Sequence, residues 1–428
     1  MTDHLTPNAS SASPAGRYRW TICSLLFAAT TINYIDRQIL GILAPDLQRA
    51  IGWSEIEYGY IVMAFQAAYA IGLPLFGRFI DRYGTKLGYS LSILGWSLAA
   101  MGHALATSAF SFGVARVFLG FSEAGNFPSS IKTIAEWFPK KERALATGIF
   151  NSGANIGAVV APATVPFLAE HYGWYGAFIA TGALGFIWIV FWVFLYDRPE
   201  ESKRLREAEL TYIQSDREEV TSEKIPMGVL LKHRETWAFV LGKFLTDPIW
   251  WFYLYWLPKF LHTQYGLTLT DLGLPLIAVY TMTTVGSIGG GWFSSHLIAG
   301  GGEINRSRKI VMLVCALLVV PIVFMTGSSY LWNAVAFIGL AAAAHQGWSA
   351  NLFTLVSDIF PKKAVGSVVG LGGMAGSVGG MLFAATAGYL LEWTGSYMTL
   401  FYIAASSYLI ALAVIQLLVP KIKPLESF

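Results

Sequence analysis

Charge is what this sequence has least of. Only 13% of its 428 residues are Asp, Glu, Lys or Arg, against roughly 25% in a soluble domain. The net charge is +3, and no basic run is interleaved with aromatics, so no nucleic-acid partner is implied. Cysteine is scarce too. Cys23 and Cys315 both lie in apolar stretches, which implies neither a disulfide framework nor a metal site. His103, His262 and His296 are scattered. With no HExxH and no G-x-S-x-G, nothing in the chain points to an enzyme. The glycine-rich run GLGGMAGSVGG (370–380) has no strand before it and no lysine after it. It reads as a small-residue helix for close packing, not a phosphate loop. The start of the chain, MTDHLTPNASSASPAGRYR, has no basic lead and no small-residue cleavage site. It is expected to be a disordered cytoplasmic tail.

What the chain has instead is apolar length. It is 55% hydrophobic with a mean hydropathy of +0.53, the composition of an integral membrane protein. A bilayer crossing takes about 20 apolar residues. Twelve stretches qualify: 20–43, 54–78, 86–106, 111–137, 143–168, 174–196, 237–259, 271–298, 309–327, 331–358, 364–390 and 397–419. The fold class is therefore an all-α membrane protein. Residues 1–19 are a tail, 20–196 and 237–419 two six-helix halves, 197–236 a polar central loop and 420–428 a second tail. Ser202–Glu219 within the loop is expected to form short surface helices. Arg17, Arg19, Arg78, Arg82, Lys86, Lys140, Lys141, Arg143, Arg306, Arg308, Lys309, Lys362, Lys363, Lys421 and Lys423 fall on the side of the central loop. The opposite loops hold only Arg49 and Lys259. Lys and Arg favour the cytoplasmic side, so both termini and the central loop are expected there.

The halves repeat each other. Shifted by 222 residues, 136–175 lies over 358–397 without a gap. Phe138-Pro139-Lys140-Lys141 meets Phe360-Pro361-Lys362-Lys363, and Gly148, Gly157, Glu170, Gly173 and Tyr175 meet Gly370, Gly379, Glu392, Gly395 and Tyr397. Two parallel repeats with a site near the midplane between them are a transporter architecture. The second and third spans are joined by GRFIDRYGTK (77–86). This resembles the cytoplasmic loop signature GxxxDRxGxK of the major facilitator superfamily, carried here by Gly77, Asp81, Arg82, Gly84 and Lys86. The resemblance implies a latch on one conformation. Gly77 is expected to allow a tight helix contact, Gly84 to make the turn, and Asp81 to cap a helix N-terminus. The second-half copy, GWFSSHLIAGG, has Ser295 at the aspartate position, so no matching latch is expected there.

Across essentially the whole chain, NYIDR, RVFLGFSEAGNFPSS, EWFPKKERALATGIFNSGANIGA and DPIWWFYLYWLP resemble the anion:cation symporter branch of that superfamily, and within it the hexuronate and galactonate transporters. The resemblance implies the major facilitator fold and import of a sugar acid with protons. The protein is expected to be a multi-pass protein of the bacterial inner membrane. It is expected to be a monomer, with no cofactor beyond protons as the coupling ion.

A lone charge at mid-bilayer costs a few kcal/mol, so Asp36, Arg37, Arg116, Glu123 and Asp247 are each functional candidates. Lys132 and Lys243 lie nearer helix ends and are expected to snorkel. Asp36 and Arg37 point about 100° apart on a helix, so they need not neutralise each other. Arg116 and Glu123 share a face about 10 Å apart along the axis, a spacing for two tasks. The guanidinium fork suits a carboxylate, which makes Arg37 or Arg116 the anion site. Burial and a nearby arginine act on a carboxyl in opposite senses. Asp36 and Glu123 are thus candidate proton carriers. The resemblance assigns the same roles to Tyr34, Asp36 and Arg37, and to Arg116 and Glu123. The competing reading is an interhelical charge network that holds the first bundle together, with Arg116 a gate. Asp247 precedes Pro248 and either caps a broken helix or contacts substrate. Further candidates for the substrate are Asn151 and Asn155 on one stripe, His345 (the repeat counterpart of Glu123), Gln346 and Asn351. Tyr69, Trp251 and Tyr255 are a candidate aromatic wall. Other organic anions (an aromatic acid, a dicarboxylate, sialic acid), export, and organophosphate exchange are the alternatives. Exchange would call for arginines at mid-depth in both halves, and spans seven to twelve have none.

Overall fold

The computed structural model describes residues 16–215, 226–327 and 329–425. Parts of the two expected tails (1–15 and 426–428) and 216–225 of the central loop, including the end of the expected Ser202–Glu219 helical stretch, lie outside them. Among the described residues the regular structure is helical, with no strand. The first half holds α1 (Tyr18–Ile51), α2 (Glu55–Tyr83), α3 (Thr85–Gly102), α4 (Ala109–Glu123), α5 (Asn126–Trp137) and α6 (Lys140–Leu195). The central loop carries α7 (Glu207–Gln214) and α8 (Met227–Leu230). The second half holds α9 (Arg234–Tyr265), α10 (Gly273–Ala299), α11 (Ile304–Val319), α12 (Leu331–Ile359), α13 (Lys362–Thr394) and α14 (Met398–Leu418).

Twelve crossings follow once three local features are read. α6 is two helices that meet at Gly173, whose φ of 69° suits a residue without a Cβ. α11 continues as a 3₁₀ stretch over Val320–Gly327, where Pro321 withholds an N–H from the helix. The fourth crossing, expected as one span over 111–137, is split into α4 and α5. Pro128 has no N–H to give the carbonyl of Ala124 and crowds it, so the helix breaks just after Glu123. The helix starts are coded locally. Ser54 and Glu57 exchange side-chain and backbone bonds in a capping box at α2, and Ser108 does so with Ser111 at α4. Among the described residues, five helical stretches are long and apolar enough to cross a membrane on composition alone. The others carry polar residues that the fold buries between helices.

The crossings form two six-helix bundles. They meet where α1 packs on α9, α2 on α13 and α6 on α10. The seal between them lies at the end away from the central loop. There Lys259 Nζ is 2.5 Å from Glu55 Oε1, the Glu55 N–H donates to Glu392 at 2.9 Å, and the Tyr58 hydroxyl donates to the Tyr255 carbonyl at 2.6 Å. Tyr60 and Tyr389 join hydroxyls. A methyl on Gly59 would stand 2.7 Å from the Ala384 carbonyl oxygen, so α2 and α13 touch backbone to backbone. One apolar cluster crosses the seal, from Leu43, Leu47 and Tyr58 to Leu257 and Phe260. Among the described residues, loop-end ion pairs tie a bundle to itself or to the central loop: Arg19 with Glu142 and Glu209, and Arg308 with Asp358.

The signature loop departs from expectation in two respects. Gly84, with φ 90°, makes the turn between α2 and α3. Gly77 does not mediate a close contact: a Cβ there would meet nothing within 4 Å. Asp81 caps no helix. Its carboxylate pairs with Lys132 of α5 at 3.2 Å, while Lys132 also donates to the Ile80 carbonyl. Lys132 thus reaches from α5 to the end of α2. Lys86 pairs with Asp197 beyond α6 at 2.8 Å, and Arg82 lies over the neighbouring Tyr83 ring. The second half keeps a pair of different make. Arg308 of α11 bonds Asp358 at 3.1 Å and Ser294 at 2.7 Å.

Gly59→Leu forces α2 and α13 apart. Spin labels at Arg49 and Trp393, both exposed at the sealed end, are expected to move apart in the variant, and uptake of the transported solute to be lost. An unchanged label distance would show that the seal does not depend on this contact.

Candidate functional site

Four charged side chains meet inside the first bundle where it faces the second. Glu123 sits at the α4 break, fully buried. Arg37 of α1 donates from Nε to Glu123 Oε2 at 2.5 Å. That bond leaves the η nitrogens unengaged by Glu123. The guanidinium lies within 4.5 to 5.6 Å of four ring centroids: Tyr34, Phe65, Tyr69 and Trp251. Three belong to the first bundle and Trp251 to the second, so the cage closes across the bundle interface. Such rings attract a cation through their negative faces. Tyr69 is also stacked on Phe65, and Trp251 on Tyr255.

Asp36 diverges from Arg37, as expected of helix neighbours. It is buried with Thr181, Glu123 and Arg116 around it, and neither carboxylate oxygen has a hydrogen-bond partner. Arg116 is fully buried and none of its three guanidinium nitrogens has one either. Its guanidinium lies 5.7 Å from the Phe65 ring centroid and 6.0 Å from that of Tyr255. Arg37 and Arg116 therefore both face α9. Glu123 Oε1 is without a partner as well. Leaving a buried polar group unmatched costs about 1–3 kcal/mol, more for a charge. This is a concentrated deficit, of the kind a bound anion and a proton would relieve.

Asn33, on the α1 face that helical spacing shares with Asp36 and Arg37, is fully buried with both side-chain atoms unpartnered. Sequence reasoning overlooked two further amides: Gln66 of α2 and Gln38 of α1 are likewise buried and unpartnered. Gln66 stands three residues before Tyr69, a spacing that shares a helix face and was there to be read. Phe65 was hidden among the many aromatics of the chain.

Other candidates lie elsewhere. His345 is not brought to the charge cluster. Its Nδ1 is 2.7 Å from the Tyr408 hydroxyl and its ring stacks on Trp250, inside the second bundle. Asn351 ties α12 to α10: its amide N–H₂ donates to the Gly290 carbonyl of α10 at 3.0 Å and to the Gly347 carbonyl at 2.9 Å, while its side-chain oxygen is buried without a partner. Gln346 is half-buried on the same helix. Asn151 is exposed and Asn155 half-buried. They lie on the face of α6 away from Gly153 and Gly157, which pack on α1. Lys243 does not snorkel. It is buried and pairs with Asp247 at 2.7 Å. Asp247 caps no broken helix, because α9 runs unbroken through Pro248.

A family model described as Major Facilitator Superfamily matches residues 26–382. The hexuronate transporter of Escherichia coli K12 is 32% identical over 389 residues, 88% of each chain. The D-galactonate transporter of Escherichia coli O6:H1 is 30% identical over 420 residues, 95% of this chain and 97% of its own. Among solved structures, a bacterial homologue of the human lysosomal transporter Spinster, in an inward-facing and occupied conformation, superposes with a TM-score of 0.74 at 18% identity, over 94% of this chain and 97% of its own. Fold, repeat and buried charges agree with these relationships: the chain belongs to the Major Facilitator Superfamily, a family of membrane transporters and not of enzymes.

Proposed function

We propose that this protein is a proton-coupled symporter that imports a monocarboxylate sugar acid, a hexuronate or a close relative, across the bacterial inner membrane by alternating access. The observation that carries this reading is the Arg37–Glu123 pair, buried between the bundles beside an unpartnered Asp36 and an unpartnered Arg116. The relatives named for hexuronate and galactonate give the substrate class.

The chemistry follows from charge matching. A substrate carboxylate takes the η nitrogens of Arg37, the fork that fits it. Arg37 is then shared between two anions, and a proton on Glu123 removes one of them. Substrate and proton together leave the site neutral, and a neutral site is the cheapest one to close away from water. Asp36, facing Glu123 and Arg116, is the second acid that can take a proton. The Lys and Arg bias favours the cytoplasm for the loop end, which sets the sealed end outward. The protein works as a monomer, since each chain holds both bundles.

A dicarboxylate is the second reading. It has one observation in its favour: both guanidiniums lie against rings of α9.

In proteoliposomes, labelled galacturonate is expected to accumulate only with an inward proton gradient. Accumulation without one would refute proton coupling. Arg37→Ala is expected to lower uptake by about tenfold or more, the effect of losing at least 1.4 kcal/mol of binding. Arg37→Lys should not restore it, because an ammonium lacks the fork. Normal substrate binding by Arg37→Ala would end its role as the anion site. Glu123→Gln is expected to keep galacturonate exchange while losing gradient-driven accumulation. Accumulation at the wild-type level would remove Glu123 from the proton path.

A further inference from the structure

Lys243 and Asp247 form a second buried ion pair, on α9 of the other bundle. Their charged atoms are 2.7 Å apart and their side chains 10% and 18% exposed. Register brings Asp247 beside the bundle interface: Lys243, Asp247, Trp251, Tyr255 and Lys259 follow one another at intervals of four, each step turning about 40° around the helix, so Asp247 is one turn from Trp251 and on nearly the same face. Three of these five already meet the first bundle. Trp251 covers Arg37, Tyr255 lies under Arg116 and takes the Tyr58 bond, and Lys259 pairs with Glu55. Behind the pair, α13 presses close. A methyl on Gly376 of α13 would stand 2.2 Å from Asp247 Oδ2, and the Lys243 ammonium lies 4.7 Å from the ring centroid of Phe353 on α12. The carboxylate is thus held from behind, one helical turn from the Arg37 cage and on the loop-end side of it.

We propose that Asp247, held by Lys243, is the subsite on the second bundle for the uncharged, polyhydroxylated end of a monocarboxylate sugar acid, and that it turns away a second carboxylate. This rests on the sugar-acid reading above. A carboxylate accepts hydrogen bonds from neighbouring hydroxyls, and charge-assisted bonds of this kind are about twice as strong as neutral ones. The same charge repels an anionic group placed against it. Lys243 keeps Asp247 paired and oriented while no sugar is bound, so the site does not leave a lone charge in the membrane. The acid end of the substrate then lies on the first bundle and the hydroxyl end on the second. One molecule bridges the two halves that must move together. A di-acid of the same length would set its far carboxylate against Asp247.

The test is competition against labelled galacturonate in proteoliposomes, with three competitors: unlabelled galacturonate, the di-acid galactarate, and hexanoate, which has a carboxylate but no hydroxyls. In the wild type, galacturonate is expected to compete best. In Asp247→Asn, galactarate should gain about tenfold relative to galacturonate, the equivalent of 1.4 kcal/mol, and the advantage of galacturonate over hexanoate should shrink. A purely structural pair would lower uptake of everything and leave both ratios where they were, which would overturn the inference. The double variant Lys243→Met with Asp247→Asn removes both charges and leaves no lone ion. It is expected to shift the ratios in the same direction, and covers the case in which the single variant does not fold. Absence of galacturonate uptake by the wild type would instead overturn the sugar-acid reading and this subsite with it. Wild-type uptake with unchanged ratios would overturn the subsite alone.

Discussion

The pair between Arg37 and Glu123 is the interaction on which the rest depends. A single charge in a bilayer core costs several kcal/mol, and removing one partner of a buried pair costs about 3–5 kcal/mol. Each charge needs a counter-charge, a proton or the substrate to offset it, and neither fits a helix facing lipid. The chain answers by placing both at the bundle interface. The α4 break puts Glu123 at a helix end, and α1 brings Arg37 to it. Phe65, Tyr34 and Tyr69 wall the guanidinium on one bundle, and Trp251 closes the wall from the other. Because the cage is made by both bundles, any movement of one against the other alters the surroundings of the charge.

The seal and the site share a single element. α9 carries the stripe that runs from Lys259 in the seal, through Tyr255 and Trp251, to Asp247 and Lys243. Its neighbours are chosen for closeness: Gly59 and Gly388 let α2 and α13 touch through their backbones. Small residues suit helices that must pack tightly without a hydrophobic gain from lipid. Among the described residues, loop-end ion pairs instead tie a bundle to itself or to the central loop. Rigid bundles that are strongly tied internally and joined at one end are suited to rocking about a central site. The signature loop contributes to the first bundle's stiffness through Asp81–Lys132 and Lys86–Asp197 rather than through the helix cap its sequence suggested.

Much of the arrangement could be read along the chain. Span positions, the repeat, the Gly84 turn, and the divergence of Asp36 from Arg37 all depend on residues a few positions apart, where helical geometry fixes the outcome. The intramembrane charges declared themselves because lipid makes them expensive. Partnership did not. Lys243 was read as reaching for the membrane surface, yet it pairs with Asp247. His345 was read as a site group, yet it pairs with Tyr408 inside the second bundle, and the Asn351 amide N–H₂ is taken by the Gly290 and Gly347 carbonyls. Gln66, unpartnered beside the cage, passed as one more polar residue in an apolar run.

The sequence by itself determined the twelve crossings, the twofold repeat and the short set of charges that had to be shielded from lipid. Each follows from a composition or a spacing that one helix obeys alone. The tertiary structure decided which charge meets which, which amides are spent on packing, and which face of α9 looks across the interface. Those outcomes depend on residues brought together from distant parts of the chain. Arg37 and Glu123 are 86 positions apart, and no periodicity within either helix specifies that they meet.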